Sequence, residues 1–350
     1  MVLQSAYAIA TVVLEVPTGY FADVFGRRKT LILAAISWTI GISLYSVGYD
    51  FFGFLIAEMA FALGSAFVSG ADSALVYDTL VDLKQSVIYK KIWGNAIFTR
   101  NIALALSGII GGFVAKIDLR LTLYITIPFF AIQILFAFLL KEPKRHKIIF
   151  EKGYFFQLFK IVKDVFVKNV KLRWLIIYAG VVYGFNQAAL WLYQPYFKFT
   201  GLDIVYFGFV FAGFQVISAF TSKYAYKLEE KIGQKYSLIM LVLFVSISYL
   251  LMSNFIFLFS FSFCFLQQFV RGYYATVISE YVNKLASSDI RATVLSVQNL
   301  FGKLFYAIII PIIGWIADVY TLTQALSVLG ITVLLLGFIS LITLRRVRVI

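Results

Sequence analysis

The sequence predicts an all-α protein that crosses a membrane many times, and three observations carry that prediction. First, 61% of the 350 residues are hydrophobic, mean hydropathy is +0.89, and only 14% are charged. A soluble domain of this length could not hide so much apolar surface. Second, the apolar residues fall in runs of about 20, the length that spans a bilayer as a helix, with few charges inside them. Strands of a membrane barrel would alternate with period two instead. Third, the second half of the chain repeats the first in outline.

Hydropathy places eleven spans, at 2–22, 31–48, 52–77, 93–115, 121–140, 174–197, 204–224, 237–253, 255–279, 294–317 and 321–343. The first two are parted by Gly19–Thr30, GYFADVFGRRKT, in which a charged turn is expected over Asp23–Thr30. Longer polar breaks fall at Asp78–Ile92, Lys141–Arg173, Lys223–Tyr236 and Asn283–Arg291. Short ones fall at Gly48–Asp50, Lys116–Arg120, Lys198–Asp203, Ser253–Asn254 and Asp318–Tyr320.

The basic residues set the orientation. One set of alternate loops holds Arg27, Arg28 and Lys29, then Lys84, Lys90 and Lys91, the cations from Lys141 to Arg173, Lys223 to Lys235, Lys284 and Arg291, and Arg345 to Arg348. The other set holds only Lys116, Arg120 and Lys198. Positive charge stays on the cytoplasmic side, so the first set and the C-terminus are inside and the N-terminus outside. This accounts for the net charge of +14 without nucleic acid, for which there is no soluble basic domain. Cys264 is the one cysteine and sits in an apolar run, so neither a disulfide framework nor a thiol metal site is expected. His146 is alone in a basic linker and reads as solvated. No secretory signal with a cleavage site is present.

The central loop, 141–173, carries Phe155, Leu158, Phe159, Val162, Val165 and Phe166 at helical spacing, with Lys160, Lys163, Asp164, Lys168 and Lys171 on the other face. It reads as a helix lying on the inner leaflet, lysines towards anionic headgroups. A partner-binding helix is the alternative. The loop separates an N-terminal bundle, 1–140, from a C-terminal bundle, 174–350. Across it, Ala22–Leu33 lines up with Glu229–Met240, matching Asp23 to Glu230, Gly26 to Gly233 and Arg28 to Lys235. Phe67–Gly70 lines up with Phe269–Gly272, and an acid follows eight residues after each glycine, Asp78 and Glu280. Gly108–Gly111 matches Pro311–Gly314, which sets Arg100 opposite Lys303. Parallel repeats of this kind mark transporters.

With those residues in view, the chain resembles the major facilitator superfamily over its whole length. Gly19-Tyr-Phe-Ala-Asp23-Val-Phe-Gly26-Arg27-Arg28-Lys29-Thr30 meets every defined position of the family's loop signature, G-x-x-x-D-x-x-G-R-R/K-x-S/T. The resemblance implies two pseudo-symmetric six-helix bundles, of which eleven helices are present: the family's helices two to six and seven to twelve. It reads the chain as a truncated gene model or fragment without the first helix; an eleven-helix protein is the other reading. It also implies a cytoplasmic gate. Asp23 would sit against the N-terminus of the family's helix eleven, and Arg27 would bridge Asp23 and Asp78, latching the outward-open state. In the second half Gln234 replaces the arginine, leaving Glu230 and Glu280 less tightly held. Gly19, Gly26, Arg28 and Gly233 complete the gate residues. Two departures bear on subclass. Glu58 stands where drug exporters of the family often have arginine, and Ser107-Gly-Ile-Ile-Gly-Gly112 lacks their proline.

Ionisable groups inside a membrane are costly and therefore functional candidates. Six occur: Glu15, Glu58, Asp72, Arg100, Arg271 and Lys303. At 1.5 Å per residue, all but Glu58 lie about 9–15 Å from the inner helix ends, while Glu58 lies towards the outer side. They read as structural ion pairs, Glu15 or Asp72 with Arg100, or as transport groups. In the latter case Glu15 would meet Lys303, Arg271 would meet Asp72 or an anionic substrate, and Glu15, Asp72 or Glu58 would carry the coupling proton. On the family's helix seven, Asn186 and Trp191 are candidates to line a cavity, with Gln267 and Gln268 facing them; interface belts and interhelical amide bonds are the plainer account.

The function expected is secondary active transport of a small solute by alternating access: proton-coupled efflux by a monomer in the lipid bilayer of a prokaryotic plasma membrane. No cofactor, no metal and no nucleic acid are expected. Import of an anionic metabolite is the alternative, and a membrane receptor or sensor is the rival of another class. No phosphate-cradling G-x-x-x-x-G-K-S/T supports an ATP-driven pump, and the paired acids of a membrane transferase are missing.

Overall fold

The computed structural model describes residues 1–143, 167, 169–286 and 291–350, and among these there are helices and no strands. The expected surface helix of the central loop, Phe155 to Phe166, and His146 lie outside the described residues. The helices are α1 (Val2–Phe25), α2 (Arg27–Val47), α3 (Phe51–Val68), α4 (Ala71–Asp82), α5 (Tyr89–Ile117), α6 (Leu119–Leu139), α7 (Val170–Phe199), α8 (Ile204–Asn254), α9 (Cys264–Leu285), α10 (Arg291–Val319) and α11 (Leu322–Arg346). Two compact units result: Leu3–Phe150, and Met1–Val2 with Glu151–Ile350. Nine helical segments among the described residues are long and apolar enough to cross a membrane.

The boundaries differ from expectation at four places, each for a local reason. The turn expected over Asp23–Thr30 shrinks to Gly26 alone, so Arg27, Arg28 and Lys29 form the first turn of α2. Gly26 has φ 110° and ψ 148°, a conformation open to glycine and strained for other residues. The span expected at 52–77 divides into α3 and α4 at Gly70, which is left-handed at φ 79°. The spans expected at 204–224 and 237–253 both lie in α8, which bends at Gly233. The span expected at 255–279 begins with a 3₁₀ turn, Leu258–Phe263, and becomes α-helical only at Cys264.

In the Leu3–Phe150 unit, α2 packs closely on α3. A Cβ on Gly64 would fall 2.5 Å from Trp38, so only glycine permits that approach. At the outer end, Arg120 donates to the carbonyls of Ser46 and Gly48, each at 3.0 Å, and stacks over Tyr49. The C-terminal unit is held by buried tyrosines whose hydroxyls find backbone partners. Tyr178 donates to the Leu238 carbonyl at 2.6 Å, and Tyr249 to that of Phe185 at 2.6 Å. Between apolar helices such satisfied polar groups fix register where hydrophobicity alone does not.

Candidate functional site

At the inner end of the first unit, the guanidinium of Arg27 pairs with the carboxylate of Asp78 and donates to the Ala74 carbonyl at 2.6 Å. Both charged side chains are largely covered, at 19% and 24% exposure, so water screens the pair less than a surface one. Arg28 donates to the Phe138 carbonyl at 2.7 Å. Asp23 lies in the last turn of α1, half-buried, and Gly19 has open space around its Cβ position.

Glu142 is the residue that sequence reasoning missed. Its two carboxylate oxygens accept the backbone N–H groups of Arg27, at 2.9 Å, and Arg28, at 2.7 Å. These are orphan donors at the start of α2, where the helix dipole is positive and three cations follow one another. The carboxylate offsets both. A Cβ on Gly26 would lie 3.0 Å from three atoms of that carboxyl group, so Gly26 also makes room for the cap. The available signal was slight: one acid between Lys141 and Pro143 at the end of a span.

The matching turn of the second unit has the same backbone and different side chains. Gly233 has φ 77° and ψ 166°, close to Gly26, which fits a duplicated ancestor. Gln234 does not bridge helices as Arg27 does; its amide donates to the Val349 carbonyl at 3.2 Å. Glu280 pairs with Lys284 one turn along its own helix, at 2.6 Å. Lys284 is held above the usual lysine range by that hydrogen bond. Tyr281 donates to Glu229 at 2.8 Å, while Glu230 makes no hydrogen bond or ion pair among the described residues.

The intramembrane candidates are dispersed. Glu58 is 5% exposed and accepts from Gln4 and Tyr45, each at 2.5 Å; no lysine or arginine among the described residues pairs with it. Glu15 accepts from the Ser69 hydroxyl at 2.9 Å. Asp72 accepts its neighbour Ser73 N–H at 2.6 Å, in the first turn of α4. Arg100 is exposed within its unit and forms no ion pair with Glu15 or Asp72. Lys303 is half-buried on α10.

In the C-terminal unit the α7–α9 contact gathers the polar residues. Asn186 is buried and donates to the Gln267 carbonyl at 2.8 Å and its amide oxygen at 3.2 Å. Gln268 donates to the Tyr193 hydroxyl at 3.0 Å. Arg271 donates to the Gln187 amide oxygen at 2.7 Å. Trp191, by contrast, is 43% exposed within its unit and stands apart from these bonds.

A family model described as Major Facilitator Superfamily matches residues 1–304. The chain belongs to the major facilitator superfamily. The nucleoside transporter NupG shares the fold at TM-score 0.78, with 15% identity, over 98% of this chain and 89% of that one. A POT family transporter in complex with 5-aminolevulinic acid does so at 0.72, with 15% identity, over 98% and 87%. The vacuolar membrane amino acid uptake transporter fnx2 of Schizosaccharomyces pombe is 30% identical over 148 residues, 42% of this chain and 25% of its own length. The MFS-type transporter ppz2 of Metarhizium majus is 26% identical over 152 residues, 43% of this chain and 26% of its own. This chain thus spans about a quarter of the length of either relative.

Proposed function

We propose proton-coupled export of a small solute by alternating access, with the Arg27–Asp78 pair as an inner latch and Glu58 as the proton-carrying group. The observation that carries the reading is Glu58, a carboxyl group inside a membrane span whose two partners are neutral. A carboxyl group held by neutral hydrogen-bond partners can change its charge without losing a lysine or arginine partner, and a charge in a membrane span is costly. The latch rests on Arg27 joining the start of α2 to α4 across a largely covered pair. The membrane is proposed to be a prokaryotic plasma membrane and the working form a monomer. Import of an anionic metabolite is the second reading, favoured by the cation Arg271, whose partner is a neutral amide.

The test uses the full chain in liposomes loaded with a pH-sensitive dye. Amino acids, nucleosides and ethidium are added in turn under an imposed proton gradient. The proposal expects one class to move protons in the direction opposite to the solute, and Glu58→Gln to abolish proton movement while solute exchange persists. Solute flux in Glu58→Gln with its proton movement intact removes Glu58 from the coupling. The sign of proton movement separates export from import.

A further inference from the structure

The polar residues between α7 and α9 are unbalanced, because donors outnumber acceptors. Arg271 carries five N–H groups, and among the described residues its hydrogen bond to Gln187 uses a single nitrogen, Nη2. That bond occupies the Gln187 amide oxygen and leaves the Gln187 amide nitrogen as a further donor. One turn earlier on the same face of α9, Gln267 is fully buried and its amide nitrogen has no hydrogen-bond partner. Asn186 enforces this, since it takes both the carbonyl and the amide oxygen of Gln267. Within the unit, the described acids near α7 and α9 lie at helix ends. Asp203 caps α8, and Glu280 is nine residues beyond Arg271, about 13 Å along the helix. A half-buried guanidinium with a neutral acceptor and surplus donors calls for an anion.

We propose that Arg271 and Gln187 form the recognition point for the carboxylate of a small anionic solute. The inference rests on the transport reading above and supplies its substrate class, whichever direction transport takes. Arginine suits a carboxylate because its planar fork of N–H groups matches two oxygens, which a lysine ammonium does not. Gln187 holds the guanidinium in place and adds its own N–H beside it.

Thermal unfolding of the detergent-solubilised full chain tests this without a transport assay. Acetate, lactate, succinate and benzoate are compared with acetamide, lactamide, succinamide and benzamide at equal ionic strength, with inorganic phosphate as a further arm. At least one carboxylate is expected to raise Tm saturably by about 5 °C at a large excess over its Kd, while its amide does not. Arg271→Gln should abolish the shift, Arg271→Lys should weaken binding about tenfold, and Gln187→Leu should weaken it with its own Tm little changed. No shift with any carboxylate, an equal shift in Arg271→Gln, or a shift with phosphate alone would overturn the proposal. So would a fall in the ligand-free Tm of Arg271→Gln that Asp72→Asn reverses, since that marks a structural pair. Carboxylate binding without solute-driven proton flux would sink the transport reading and leave this site standing. Flux of a neutral solute, undiminished in Arg271→Gln, would do the reverse.

Discussion

The two inner turns share a backbone and differ in what their side chains do. Gly26 and Gly233 take the same glycine conformation at equivalent points of the two units. Around Gly26, Arg27 reaches Asp78 on α4 and Glu142 caps α2, so three segments are joined by charge. Around Gly233, glutamine stands in place of the arginine, and Glu280 turns to Lys284 on its own helix. Duplication preserved the bend, while the ionic network stands in the first unit. A backbone device survives side-chain drift because it needs one residue type; a latch needs several in register.

The largest expected effect of breaking this contrast is at the glycines. Gly26→Ala combines a strained φ with contact on the Glu142 carboxyl group and should cost about 2–3 kcal/mol in thermal unfolding. Gly233→Ala meets open space and should cost only its backbone strain, about 1 kcal/mol. Equal losses would mean that Glu142 is incidental. Next comes Glu142→Gln, which removes a carboxylate from two N–H groups at a helix start and should cost about 1 kcal/mol. The same change at Glu230 should lie within about 0.5 kcal/mol of wild type, as surface changes do. Smallest is Lys284→Met, which deletes an exposed pair within one helix worth about 0.3 kcal/mol. The folded pKa of Lys284 is raised, so its contribution is complete below the unfolded lysine value and is lost as pH rises through the folded one. Stability between pH 6 and 9 should therefore be the same in wild type and Lys284→Met to within that ~0.3 kcal/mol. A divergence in that range would assign the pH dependence to another group.

Much of the fold was legible because bilayer length and positive-inside bias act on many residues at once. Neither needs side-chain contacts. The Arg27–Asp78 pair was foreseeable from a motif with fixed spacing. Glu142 was not, since its partners are backbone N–H groups that carry no sequence signal. The bends were blurred for a related reason. Gly70 and Gly233 sit inside apolar or helical stretches, and hydropathy averages over the one residue that changes φ. Among the embedded charges, sequence gave type and depth but not direction. Arg100, which one of the two readings paired with Asp72 or Glu15, is exposed in its unit; Glu58 stood apart in the sequence and is a buried carboxylate with two donors at 2.5 Å. Helix facing decides such matters, and α5 and α3 have little amphipathic contrast from which to read it.

The latch itself is tested most directly by a charge swap. Solute-driven proton flux is measured in liposomes for Arg27→Asp, Asp78→Arg and the two together. The account predicts that each single variant inserts normally and loses about tenfold in rate, equivalent to about 1.4 kcal/mol, and that the double variant recovers most of it. Single variants that transport at the wild-type rate, or a double variant no better than either, would contradict it.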